Sequence, residues 1–249
     1  MRIPVVRGVI DRRILVNYRI EPSVLAPLLP APFRPKLIHG VGMVGICLIR
    51  LAHVRPHAMP QWLGISSENA AYRSAVEWND RDTVRHGVYV RRRDTNSWLT
   101  TMAGGRFFPG IHHHARFTVN ESADSYAVAI RSDDGMTTMA VRARPIESLP
   151  GSSVFRSLEE ASAFFESGSV GYSATHSPSR FQGLELRCRT WHVEPLVVDE
   201  VRSSFFEDET LFPKGSIEFD SALLMRGVEH EWHEKPDLHH AASIMHVGG

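Results

Sequence analysis

The sequence predicts a mainly β protein, a closed barrel or sandwich carrying one or two short helices. Three observations lead there. Apolar residues recur mostly at period two, clusters of turn formers separate the runs, and a single stretch combines helical spacing with a cap. A barrel is preferred over a sandwich because closure leaves no open sheet edge.

Along the chain, Ile14, Val16 and Tyr18 alternate with Leu15, Asn17 and Arg19 as in a half-buried strand. Pro22 then opens a short helix through Leu29, with proline in its first turn, and Pro30 and Pro32 close it. Val41 to Ala52 is a long apolar strand, followed by a loop at Pro56, Pro60 and Gly64. Gly87 to Arg93 and Trp98 to Ala103 flank Asp94-Thr95-Asn96-Ser97 and predict two strands of a meander. Ser125 to Arg131 and Met136 to Arg144 flank Asp133-Asp134-Gly135, where Asp-Gly signals a hairpin. Ser157 and Glu160 form a capping box ahead of an apolar stripe at Leu158, Ala161, Phe164 and Phe165. Strands resume at Tyr172 to His176, Leu184 to Val193 and Ile217 to Met225. No linker or repeat divides the chain, so residues 1–249 read as one domain. Residues 236–249 lack a period and read as a partly disordered tail.

Composition narrows the function. The 249 residues carry 28 basic and 28 acidic side chains, a net charge of zero that argues against nucleic-acid binding. Lysine occurs only as Lys36, Lys214 and Lys235, so arginine dominates the basic residues. Two cysteines, Cys47 and Cys188, give no disulfide framework and read as core residues of a reducing compartment. The apolar run from Gly40 to Ile49 is too short to span a membrane, and the N-terminus lacks the apolar core of a signal peptide. A soluble, cytoplasmic protein is expected.

Several motifs invite chemistry. Gly40-Val41-Gly42-Met43-Val44-Gly45 matches the dinucleotide fingerprint, yet an apolar strand-like run follows where a helix is needed. Its glycines read as a tight turn and close backbone packing. Cys188 and His192 share a strand face but stand about 13 Å apart at ~3.3 Å per residue, too far for a dyad. His230-Glu231-Trp232-His233 falls one residue short of the zincin spacing and reads as a polar surface segment. His112-His113-His114 is the most unusual run. On a strand His112 and His114 share a face and, with a third ligand, could hold zinc, while His113 faces the other way. No cofactor is expected.

The order of several short motifs resembles the acetoacetate decarboxylase-like superfamily. They are Val16-Asn17-Tyr18-Arg19-Ile20-Glu21-Pro22 with Leu25 and Leu28-Leu29-Pro30, then Ala103-Gly104-Gly105-Arg106. Ser203-Ser204-Phe205-Phe206, Phe212-Pro213-Lys214-Gly215 and Phe219-Asp220-Ser221-Ala222-Leu223 through Arg226 are similar to a bacterial branch labelled a domain of unknown function. The resemblance implies a cone-like, mainly antiparallel β-barrel around an interior pocket.

It also implies what the chain lacks. Decarboxylases of that superfamily attack a ketone with a pocket lysine whose amine is deprotonated by its surroundings. Aligned without gaps from Gly104-Gly105-Arg106, that lysine falls on His113 and its lysine neighbour on His114. An imidazole forms no iminium, so the chain is expected not to be an acetoacetate decarboxylase. Arg19 matches a substrate-contacting arginine of the superfamily, and Arg73 stands where it has a glutamate. Arg106 of the central motif joins them as a candidate substrate contact. Together they imply an electropositive pocket for a small anionic metabolite, with His113 as general acid/base and Arg19 as carboxylate anchor. The alternatives are a non-catalytic metabolite-binding barrel and a metal-dependent hydrolase or lyase using His112 and His114. The expected partner is thus a small anion, with neither nucleic acid nor membrane; a homo-oligomer is compatible with the sequence.

Overall fold

A computed structural model of the chain describes residues 5–103, 110–177 and 179–239. The first half runs β1 (Val6–Ile20), α1 (Pro22–Leu25), β2 (Arg34–Pro35), β3 (Leu37–Ile38), β4 (Val41–Pro56), β5 (Ile65–Asp80) and β6 (Thr83–Thr95). A short helix α2 (Trp98–Ala103) leads to β7 (His112–Ser122), β8 (Ser125–Ser132) and β9 (Thr138–Pro145). The chain ends in α3 (Leu158–Glu166), β10 (Val170–Ala174), β11 (Arg180–Cys188), β12 (Glu194–Ser203) and the long β13 (Ile217–His239).

All these strands belong to one sheet, and two of them branch it. One edge of β13 pairs with β1, from Ile217 opposite Ile20 to Trp232 opposite Val6. Its other edge is divided between β12 at Ala222–Leu224 and β11 from His230 onward. Likewise β6 holds β5 on one edge, and on the other β10 opposite Val88–Val90 and β7 opposite Arg93–Thr95. Two closed rings result, sharing β13, β1, β4, β5 and β6. The first is completed by β10 and β11, the second by β7, β8, β9 and β12. The fold is therefore the expected curved, mainly antiparallel β structure, with two parallel pairings at β6.

The shared strands are buried on both faces. Ile14, Val16 and Tyr18 of β1 pack into the second ring with Val128, Ile130 and Val141. Leu15, on the opposite face, packs into the first ring with Cys47, Met43 and the helix residues Phe164 and Phe165. A register shift between Ile10 and Arg12 swaps the faces of β1, since one extra residue reverses the alternation. Ile10 thus lies in the first core, whereas Arg12 is buried in the second ring's direction against Glu68 and Glu121. In the glycine-rich run, Gly40 takes a left-handed φ of 85° at the turn, and a Cβ on Gly45 would lie 2.2 Å from the Val16 carbonyl oxygen. These glycines serve strand pairing, and the run passes directly into β4, where a nucleotide site needs a helix.

Ser157 caps α3 as expected, its hydroxyl accepting from the Glu160 amide at 3.2 Å. The Glu160 carboxylate accepts from the amide of Arg156, one residue before the position a reciprocal box uses. Three expectations are corrected. Trp98–Ala103 is helix α2, because β7 runs parallel to β6 and a parallel neighbour cannot be reached by a hairpin. Strand β11 stops at Cys188, so His192 lies beyond it. Strand β13 continues to His239, which makes residues 236–239 of the expected tail part of the sheet. Pro236 is tolerated there because the pairing slips between Phe181 and Gly183, where no ladder donor is required. The rest of that tail lies outside the described residues.

Candidate functional site

The first ring encloses a cavity of about 650 Å³. Strand β5 shows its axis, since Arg73, Ala71, Asn69, Ser67 and Ile65 all line it at the period of a strand. From Arg73 to Ile65 is eight residues, about 26 Å at ~3.3 Å each. Arg73 is buried at one end; Ile65 at the other is exposed, as are the lining residues Leu63 and Leu99. The cavity therefore has a closed end at Arg73 and a mouth between the β4–β5 connection and α2.

Three arginines converge on it from three strands. Arg73 of β5 donates through Nη2 to Asn17 Oδ1 at 2.6 Å and lies 4.9 Å from the centre of the Phe165 ring. Its Nε is buried without a hydrogen-bond acceptor. Arg93 of β6 donates through Nε and Nη2 to one hydroxyl, Ser173 Oγ, at 3.2 and 3.0 Å. Arg13 of β1 donates through Nε to Cys47 Sγ at 2.9 Å, with its guanidinium 5.6 Å from the Trp191 ring centre. Among the described residues, no carboxylate lies within 4.0 Å of these three guanidinium groups. The contrast with Arg12 and Arg50 is plain, since each of those meets both Glu68 and Glu121. Loss of water pushes Arg73 and Arg93 down to about 10. Asp94 also reaches the wall, but it accepts from Arg92 at 2.9 Å and from Thr137 at 3.0 Å.

Of the three histidines, His112 is the one at the cavity. It begins β7 opposite Arg93, and desolvation followed by the Arg93 charge lowers it to about 3, so its ring is neutral at pH 7. The expectation that His113 faces the pocket is corrected. Alternation along β7 sends it to the other face, where Nδ1 lies 3.1 Å from Asp134. His114 is held by Asp133 at 2.7 Å and stacks on Trp98 at 3.8 Å. Among the described residues, no three metal-binding side chains gather around His112 and His114 or elsewhere. His230 and His233 sit on opposite faces of β13, which removes the shared helical face a zincin pair requires.

Arg19 is also corrected. It lies at the far end of β1, where β13 supplies its partners: Glu218 at 2.6 Å and Asp220 at 3.5 Å, with the Ser152 carbonyl accepting at 2.7 Å. It lines no part of the cavity. Arg73 does line it, and Arg106 lies outside the described residues. Sequence reasoning missed Arg13, Cys47 and Arg93. Arg13 shares the alternation of Asn17 and Arg19, so its parity pointed inward. Arg93 ends a run of three arginines, and only its pairing opposite Ala71 shows which of them faces the ring.

Doubly ringed β architecture around an arginine-lined cavity defines the class: an acetoacetate decarboxylase-like fold without a lysine at its cavity wall among the described residues. Within that class the chain belongs to the family of uncharacterized conserved proteins DUF2071, matched over residues 10–229. No curated protein matches it in sequence. Solved structures share the fold across nearly the whole chain. An acetoacetate decarboxylase-like enzyme from Sphingomonas wittichii RW1 has a TM-score of 0.58 at 12% identity, covering 97% of this chain and 94% of its own. Acetoacetate decarboxylase from Legionella pneumophila gives 0.57 at 12%, covering 94% and 88%. The enduracididine biosynthesis enzyme MppR, solved with a condensation product of pyruvate and imidazole 4-carboxaldehyde, gives 0.58 at 9%, covering 95% and 89%.

Proposed function

We propose that this protein takes an organic acid into the arginine-lined cavity and acts on it without a Schiff base. The observation that carries this reading is three inward arginines with no carboxylate partner among the described residues. A buried cation demands an anion, and the planar guanidinium fork suits a carboxylate. Arg73 and Arg13 at the closed end would hold the acid, with Arg93 above them. The neutral ring of His112 would take a hydrogen bond or a proton from the bound molecule. Schiff-base chemistry has no lysine to use there. Lys36 is bonded to Ser167 and the Phe164 carbonyl, and Lys235 pairs with Glu185 at 3.3 Å.

Pure binding is the second reading, favoured by the His112 value near 3, which makes its ring a weak base at neutral pH. A panel of small and medium carboxylic acids decides. Turnover that survives in Arg19→Ala and is lost in His112→Ala supports an enzyme. Thermal stabilisation by an acid without turnover supports a binding protein. An acid panel that neither stabilises nor reacts removes both readings.

A further inference from the structure

We infer that the ligand is an amphipathic acid, its carboxylate seated at the Arg73 end and a hydrocarbon body running toward the mouth. This rests on the anion reading of the same cavity and adds the chemistry of the rest of the ligand. A volume of about 650 Å³ falls in the range that houses molecules of drug size, roughly 300–1,000 Å³, well beyond the needs of a four-carbon acid.

The wall explains what fills that space. Above the arginine end, Ile10, Ile49, Leu51, Leu186 and Trp232 line the cavity from four strands. The side chains of Asn69, Ser67 and Arg55 on this stretch already bond to the protein. Asn69 donates to Ser67 Oγ at 2.9 Å and to the Ser67 carbonyl at 3.1 Å. Arg55, nearer the mouth, donates to the backbone carbonyls of His53 and Met59 at 2.7 and 3.1 Å. Arg73 Nε, at the opposite end, is a buried donor without an acceptor among the described residues. A ligand matched to this wall is charged at one tip and apolar along its body.

The mouth continues the pattern. Leu63 is 43% exposed, Ile65 46% and Leu99 65%, and all three also line the cavity. Exposed apolar side chains continuous with an interior cavity are what the trailing end of such a chain would cover.

Titration calorimetry on the full chain with acetate, butyrate, octanoate, decanoate and neutral octanol tests the inference, using Arg73→Gln and the mouth variant Leu99→Asp. One-to-one affinity should rise about fourfold per added methylene between butyrate and decanoate. Leu99→Asp should weaken decanoate about tenfold while leaving butyrate unchanged, and Arg73→Gln should weaken every acid. Equal affinity for butyrate and decanoate overturns the hydrocarbon body and leaves the anion reading standing. Octanol binding as tightly as octanoate, with Arg73→Gln indifferent, overturns the anion reading and this inference with it. Failure of all acids to bind also rejects both.

Discussion

Arg73 donates to Asn17 at 2.6 Å across the shared wall of β1 and β5, and that amide oxygen is a neutral partner for a buried charge. An amide satisfies one donor of the guanidinium without cancelling its charge. Such a site costs folding energy while empty and gains it back when an anion arrives. The balance between stability and binding should therefore be visible in single variants.

Arg93 offers the cleanest case, because its donors go to one hydroxyl and its removal strands no carboxylate. Arg93→Met is expected to be as stable as the natural chain or more stable, by up to about 3 kcal/mol, as when buried ions are replaced by apolar groups. The same variant should bind octanoate at least about 30-fold more weakly. Urea unfolding and calorimetry on one preparation read both numbers.

Removing Arg12 should do the reverse. Arg12 is 1% exposed, with its guanidinium between Glu68 and Glu121, so Arg12→Met leaves two carboxylates with Arg50 alone. A loss of about 3–5 kcal/mol is expected in urea unfolding, the range for breaking a buried pair.

Arg19→Ala separates a structural ion pair from a ligand contact. Asp220 keeps its bonds from Ser153 Oγ and the Val154 amide, so the stability loss should stay near ~1 kcal/mol. Octanoate affinity should be unchanged, since Arg19 lines no part of the cavity. A large affinity loss would return Arg19 to the site.

Acid should destabilise the fold through two desolvated histidines. Burial lowers His112 to about 3 and His230 to about 4, below the ordinary value of 6.5. Stability contributed by their neutral rings is present above pH 6.5 and is lost as pH falls toward 4 and then 3. Between those limits each adds a slope of about 1.4 kcal/mol per pH unit. Urea unfolding from pH 7 to pH 4.5 should show that slope shrinking in His112→Asn and again in His112→Asn/His230→Asn. Unaltered slopes would mean that these rings protonate freely in the folded chain.

Incubation with acetoacetate and borohydride should leave the protein mass unchanged, because Lys36 and Lys235 are engaged with other partners. An adduct on Lys36, Lys214 or Lys235 would contradict this.

Much of the architecture was legible in the chain. Period-two runs marked β1 and β4, Asp134-Gly135 placed the β8–β9 hairpin, and Ser157 began α3, because each signal is local and needs no partner. The order of motifs from Asn17 to Arg226 carried the superfamily fold for a related reason. Such motifs record a whole topology, although each is short. Strand β12 escaped because its register slips between Val198 and Glu200, which breaks the alternation by which a strand is recognised.

What the sequence determined by itself, then, was the β content, the local turns and cap, and the absence of a lysine at the position its motifs align. Tertiary structure decided which face of each strand is the functional one. Alternation states that Asn17 and Arg19 share a side of β1, but both sides of the shared strands are buried, so apolar content no longer marks the inside. Whether an arginine meets an acid depends on strands far away in the chain: β13 brings Glu218 to Arg19, while nothing brings a carboxylate to Arg73 among the described residues. His112 rather than His113 reaches the cavity because β7 starts beside Arg93, a pairing between segments joined through α2. Periodicity is a property of neighbours in sequence, whereas ring closure and charge pairing are properties of neighbours in space.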